Sequence, residues 1–214
     1  MSSAPSWSSS TSSSVMSRIA TTARTTAASS GVSGATSTEG KVLVKRQAAV
    51  FVTVPADALV GEFRQRHQPR AVSRLLPPHV TIVPPFALDT AEDDAFAADL
   101  AAHFATFARF GAELTRVGRF ERHVWLAPEP VAAFVNLITS ARQAFPGLDP
   151  DGERQPVPHL TIAEVERGET TSRVVELAEA ELGPRLPFRF DVGELALWAV
   201  EPDGWHELRR FELR

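Results

Sequence analysis

PPHVTIVPP, residues 77–85, places a histidine and a threonine two apart in a run of β-branched residues bracketed by prolines. The pattern returns at 157–165 as VPHLTIAEV, so that Pro-His-Val-Thr-Ile becomes Pro-His-Leu-Thr-Ile. In an extended strand, residues two apart share a face and their neighbours take the other. His79 and Thr81 therefore point one way and Val80 and Ile82 the opposite way. His159 and Thr161 repeat the first pair, and Leu160 and Ile162 the second. The apolar pairs can enter a core, and the polar pairs must line something wet or be paired inside. A single histidine at the start of a strand is an ordinary structural residue. The same five-residue pattern twice, at matching places in two apparent repeats, points to a site. Pro77, Pro78, Pro84 and Pro85 should confine the regular pairing of the first strand to a few residues.

Outward from these stretches, helix and strand patterns alternate. AAVFVTV (48–54) predicts a strand, and ADALVGEFRQR (56–66) a short helix with Leu59, Val60 and Phe63 on one side. Thr90, three before Asp93, resembles a helix start. Behind it Phe96, Leu100, Phe104 and Phe107 recur at helical spacing, which predicts a helix that packs phenylalanines on a sheet. AELTRV (112–117) and HVWLA (123–127) are strand candidates. VAAFVNLITSARQAF (131–145) is helical, with Phe134, Leu137, Ile138, Ala141 and Phe145 on one face. PGLDPDGERQP (146–156) is a loop by its Pro, Gly and Asp content. A helix is expected from about Thr171 to Leu182. FRFDVGELALWAV (188–200) and the last residues predict two strands joined at EPDG (201–204), where Pro202 and Gly204 suit a type I turn. The order predicts an α+β domain of two similar lobes, each sheet backed by helices.

Composition limits what such a domain can do. The 214 residues are 43% hydrophobic and 22% charged, enough for one good-sized domain. There is no cysteine, hence no disulfide, thiolate metal site or cysteine nucleophile. No apolar run of about eighteen residues is present, so no membrane span is expected. The formal net charge is −4, and without Arg18, Arg24 and Glu39 the balance is 20 basic residues against 25 acidic ones. A protein that holds long nucleic acid by counterion release carries a basic surplus. No extended nucleic-acid surface is therefore expected. A phosphate ligand would be gripped locally, where arginine's planar fork matches its oxygens two at a time. Twenty of the 22 basic residues are arginine.

Residues 1–40 contain 14 Ser, 7 Thr and one acid, Glu39, with few large apolar side chains. Such a segment cannot bury enough surface to offset its ordering entropy, and a disordered tail is expected before a domain at 41–214. The cytoplasm is the expected location. An organellar transit peptide, with Met16 as the initiator, is the alternative reading of the tail.

Two histidines and two hydroxyls suit one chemistry in particular. An imidazole changes charge near neutrality, so one ring can take a proton from an attacking oxygen while the other gives one to a leaving oxygen. Threonine hydroxyls can donate to oxygens that gain charge between them. That set fits transfer or hydrolysis at a phosphodiester, where positioning and charge stabilisation dominate.

The paired motifs Pro-His79-Val-Thr81-Ile and Pro-His159-Leu-Thr161-Ile resemble those of the two-histidine (2H) phosphoesterase superfamily, most closely the RNA 2',3'-cyclic phosphodiesterase or 2'-5' RNA ligase family. GRFERHVWLAPEP (118–130) is similar to the family's strand between the motifs. The resemblance covers about residues 45–214. It implies a bilobal, pseudo-twofold fold with two antiparallel sheets flanking a central cleft and helices outside. It also implies cofactor-free and metal-independent chemistry on a 2',3'-cyclic phosphate, either an RNA end or a small cyclic nucleotide, by a monomer. By analogy His79 protonates the departing ribose oxygen, His159 activates water, and Thr81 and Thr161 hold the non-bridging oxygens. Reverse joining through a 2'-5' bond uses the same groups. Relatives often carry a basic residue soon after the second motif, whereas this chain reads Ala163-Glu164-Val165-Glu166-Arg167.

Arg74, Arg119, Arg122 and Arg154 are the phosphate-binding candidates, against a reading of all four as solvated surface charge. Phe120 is a candidate for stacking on a base, against an ordinary core role. His123 is a weaker cleft candidate, and His67, His103 and His206 have no partner motif. His-x-His and His-Glu-x-x-His spacings are absent, and DPDGE (149–153) lacks the full set of a calcium loop. The competing function class is a nucleotide- or RNA-end-binding module that uses the same cleft without turnover. Histidines and threonines intact in both copies favour the enzyme.

Overall fold

The computed structural model describes residues 45–89, 93–148, 155–165 and 168–214. The expected tail, the Thr90 helix start, the DPDGE turn, Arg154, Glu166 and Arg167 lie outside these.

The chain runs β1 (Lys45–Thr53), α1 (Asp57–His67), a short α2 (Pro69–Ser73), β2 (His79–Asp89), α3 (Asp93–Phe104), β3 (Phe110–Arg119), β4 (His123–Glu129) and α4 (Val131–Ala144). It continues through β5 (Leu160–Glu164), α5 (Thr171–Leu182), β6 (Phe188–Val192), β7 (Glu194–Glu201) and β8 (Gly204–Glu212). Two four-stranded sheets result, in the orders β2-β1-β7-β8 and β5-β4-β3-β6, and every pairing is antiparallel. The fold is α+β with two sheets, and the motif strands β2 and β5 hold the corresponding outer place in each.

One apolar core joins both sheets and the helices. Val50 and Val52 of β1, Leu126 of β4 and Leu195 of β7 are buried in it with Phe63, Phe104, Phe134 and Leu182 from the helices. The helices cross over: α1 packs on β5 and α4 packs on β2. Each motif strand thus rests on the helix that precedes the other motif. Among the described residues no helix is long and apolar enough to cross a membrane.

Three expectations need correction. Strand β2 continues through Pro84 and Pro85 to Asp89. Val50 faces Val83 but Ala48 faces Phe86, so β2 carries one extra residue there and the prolines fall in the resulting bulge of an edge strand. Phe107 lies beyond the end of α3, although it still packs on the core. The stretch 188–200 is two strands that part at Gly193: β6 joins β3 in one sheet, while β7 joins β1 and β8 in the other. The chain then turns at Pro202 and Asp203, where Glu201 pairs with Gly204. Helix α5 spans the expected residues, with Thr170 accepting from the Arg173 amide as its N-cap.

Candidate active site

The period-two reading of the motifs holds in both copies. Val80 and Ile82 are 0% and 1% exposed, and Leu160 and Ile162 are both 0%. Full burial of one such side chain is worth about 1.5–3 kcal/mol, so the register of each strand is strongly fixed. A slip of one residue would exchange these aliphatics for His79 and Thr81, or for His159 and Thr161. Those four side chains are half-buried on the opposite face. β2 and β5 each pair on one side only, and the two strands contact one another. The sheets therefore meet along their motif edges, and the charge of His159 is felt at His79.

Both rings are wired alike. The Nδ1 of His79 lies 2.8 Å from the carbonyl oxygen of Pro77, and the Nδ1 of His159 lies 2.7 Å from that of Val157. A carbonyl only accepts, so Nδ1–H is the donor in each case. In the neutral ring the Nε2 then carries the lone pair. The local sequence explains the geometry: each histidine follows a proline, Pro78 or Pro158, which holds the residue before it extended. The carbonyl two residues back is turned onto the ring as a result.

Each site also has an aromatic neighbour across its sheet. Phe51 of β1 stands opposite Thr81, and Trp125 of β4 stands opposite Thr161. The Phe51 ring lies 4.0 Å from the His79 ring, tilted by 32°, and leans on Trp205 at 5.6 Å. His159 meets the Phe120 ring edge-on at 4.9 Å and the Trp125 ring at 6.1 Å. Trp125 can lie there because Gly118 faces it across β3. A Cβ at Gly118 would come within 2.3 Å of the indole.

Burial disfavours a proton on both imidazoles. Burial pushes His79 down to about 4, and the charges of Arg64 and His159 add to this against the pull of the Pro77 carbonyl. His159 is also lowered, by burial first and then by His123, against the Val157 carbonyl. His123 is lowered by burial and by Arg122, while Glu164 opposite it in the β4–β5 ladder pulls the other way.

The remaining candidates divide. Phe120 sits at the His159 ring. Arg119 is exposed and its Nη1 donates to Ser172 Oγ on α5 at 2.8 Å, while Arg122 donates to the Val165 carbonyl at 3.2 Å beside β5. Exposed Arg74 lies by the β7–β8 turn, where its charge acts on Asp203. Other arginines are spent on surface ion pairs, such as Arg209 with Asp94 at 2.8 Å and Arg66 with Glu181; exposed pairs of this kind add little stability. Among the described residues no group of three or more His, Asp or Glu side chains could hold a metal ion. A shallow depression lined by Glu113, Glu129, Arg189 and Asp191 contains neither motif. Sequence reasoning missed Phe51, Trp125 and buried Arg64. Gly118, directly across from a tryptophan, was the one available signal.

Comparison with known proteins bears on this arrangement. No curated protein sequence matches the chain. Among solved structures, E. coli LigT complexed with 3'-AMP is 20% identical, with a TM-score of 0.56 over 79% of this chain and 99% of that one. TT0787 of Thermus thermophilus is 20% identical, with a TM-score of 0.55 over 78% and 98%. A phosphoesterase structure is 17% identical, with a TM-score of 0.54 over 79% and 99%. These likenesses show the fold. A family model for the 2'-5' RNA ligase superfamily matches residues 51–204, which takes in both motifs, their cross-strand aromatics and the strands that join them. The chain therefore belongs to the 2'-5' RNA ligase superfamily, a branch of the two-histidine phosphoesterases.

Proposed function

We propose that the chain is a metal-independent phosphodiesterase that opens 2',3'-cyclic phosphates by paired histidine acid–base catalysis. The observation that carries this reading is the duplicated wiring, in which two imidazoles each set Nδ1 on a backbone carbonyl and leave Nε2 for proton transfer. One Nε2 takes a proton from water as the water oxygen bonds to phosphorus. The bond from phosphorus to one ribose oxygen breaks, and the other imidazole gives that oxygen its proton. A phosphomonoester and a free hydroxyl result. Thr81 and Thr161 donate to the non-bridging oxygens, whose charge grows in the transition state. The acid ring first takes a proton from solvent at Nε2, and the negative charge of the bound phosphate stabilises it there. With a ribose 5'-hydroxyl in place of water the same groups form a phosphodiester, which is the 2'-5' joining reaction.

The substrate is a small cyclic nucleotide or the very end of an RNA. The acidic balance of the chain and Glu164 beside the second motif both disfavour a long polyanion. LigT structures with NADP+ and with ATP, TM-scores 0.52 and 0.50, support a nucleotide-sized ligand. In this reading Phe120, beside the His159 ring, stacks on its base, and Arg122, which reaches the Val165 carbonyl just after β5, is the arginine candidate for its phosphate.

The test is a panel of nucleoside 2',3'-cyclic phosphates and cyclic-phosphate RNA ends, with the product phosphate located by phosphorus NMR and EDTA present throughout. Turnover to a single phosphate position is expected. Binding without turnover would instead establish a recognition module, and loss of turnover in EDTA that added metal restores would overturn the mechanism.

A further inference from the structure

Arg64 is the only charged side chain buried among the described residues, at 3% exposure. Burying a guanidinium is costly, and a face that only needed filling would be served by leucine or methionine. Its Nε donates to Gln68 Oε1 at 2.9 Å and its Nη2 to the Leu76 carbonyl at 2.8 Å. Leu76 opens the segment that leads into the first motif. Three consecutive carbonyls there each receive one donor: Leu76 from Arg64, Pro77 from His79 Nδ1, and Pro78 from the Val54 amide at 2.9 Å. Just upstream Leu75 has a φ of +58°, a left-handed conformation that a leucine keeps only where its surroundings impose it.

We propose that Arg64 is a positioning residue of the site, its guanidinium clamping the Leu76–Pro77 segment that orients the His79 ring and standing as a fixed positive charge beside it. This deepens the phosphodiesterase reading and rests on it. The charged groups that act on His79 are Arg64 from α1 and His159 from the opposite motif, and both oppose a proton on its ring. Burial comes first in disfavouring that proton and Arg64 adds to it, while the Pro77 carbonyl fixes the Nδ1–H tautomer.

The experiment compares the full chain with Arg64→Met, which keeps bulk and removes charge, and Arg64→Lys, which keeps charge and loses the fork. Histidine nitrogens are followed by NMR against pH without substrate, and kcat and KM for a nucleoside 2',3'-cyclic phosphate are followed against pH. In Arg64→Met the His79 ring should take its proton at higher pH while His159 stays put. The limb of the kcat/KM profile that His79 governs should move up with it, and kcat should fall about ten- to hundredfold with KM little changed. In Arg64→Lys the titration should stay in place and kcat fall about tenfold. A His79 titration unmoved in folded Arg64→Met, or an equal shift of both histidines, overturns the proposal. Should Arg64→Met not fold, Arg64→Lys decides it, since full activity there removes the clamp. A wild-type chain that turns over no cyclic phosphate, but whose His79 still responds to Arg64→Met, retains the positioning role and sinks the phosphodiesterase reading instead.

Discussion

The two motif regions share a backbone and differ in their company. At β2 and at β5 the proline, the carbonyl two residues before the histidine, the threonine two after it and the aromatic across the ladder recur in the same relation. What surrounds those parts has diverged. His79 rests on the Phe51 face with a buried arginine near it, whereas His159 meets the edge of Phe120 and has a third histidine, His123, close by. The lesson is that backbone wiring sets the tautomer, while burial and the charged side chains nearby set how readily each ring holds a proton. A near-symmetric site can thus perform an asymmetric reaction, with one ring as donor and the other as acceptor.

The largest effects should come from breaking both halves alike. His79→Ala and His159→Ala should each lower turnover by about 10²- to 10⁴-fold, with unchanged circular dichroism. A variant that kept full rate would show that only one half works. Thr81→Val and Thr161→Val should cost about 10²-fold in kcat each, measured on the same cyclic phosphate. A loss confined to one threonine would place the developing charge on that side. Gly118→Ala sharpens the contrast, because only the β5 half has a ring in the way of a Cβ. Overpacking there should cost about 1–3 kcal/mol in denaturant unfolding, with the His159 signals perturbed and those of His79 left in place.

The last effect is a dependence on pH. The folded chain disfavours a proton on His79 relative to the unfolded chain, where the ring has its ordinary value of 6.5. The contribution of the neutral ring is complete above that value and is lost as pH falls through it toward about 4. Denaturation midpoints of the wild type should therefore drop across that window. His79→Gln should drop less, and equal curves would show that the ring titrates freely in the fold.

The sequence carried the motif faces, because a two-residue period is written directly in Val80, Ile82, Leu160 and Ile162. It also carried α5, whose start is marked by Thr170 and whose apolar positions follow one face. It did not carry the break at Gly193. The apolar alternation runs on across that residue, and only pairing partners distant in the chain decide that β6 and β7 enter different sheets. Nor did it carry β2 beyond Pro84, since a proline is compatible with a strand only where a bulge and an unpaired edge coincide. For the candidate site, the residues singled out were those whose chemistry is local to the motif. Phe51 and Trp125 act across a ladder, and Arg64 acts from a helix, so their part depends on register and packing that composition does not encode. Among twenty arginines, nothing in the chain's spelling set Arg64 apart from its solvated neighbours.

The crossed seating of α1 on β5 and α4 on β2 bears on how the protein evolves. Neither motif strand can shift without dragging the helix from the other half, so the spacing between the imidazoles is gauged by interior hydrocarbon, as a jig holds two tools. A change of one methylene between helix and strand would shift that spacing long before it melted the domain. Any selection on the proposed chemistry is thereby extended to side chains outside the site.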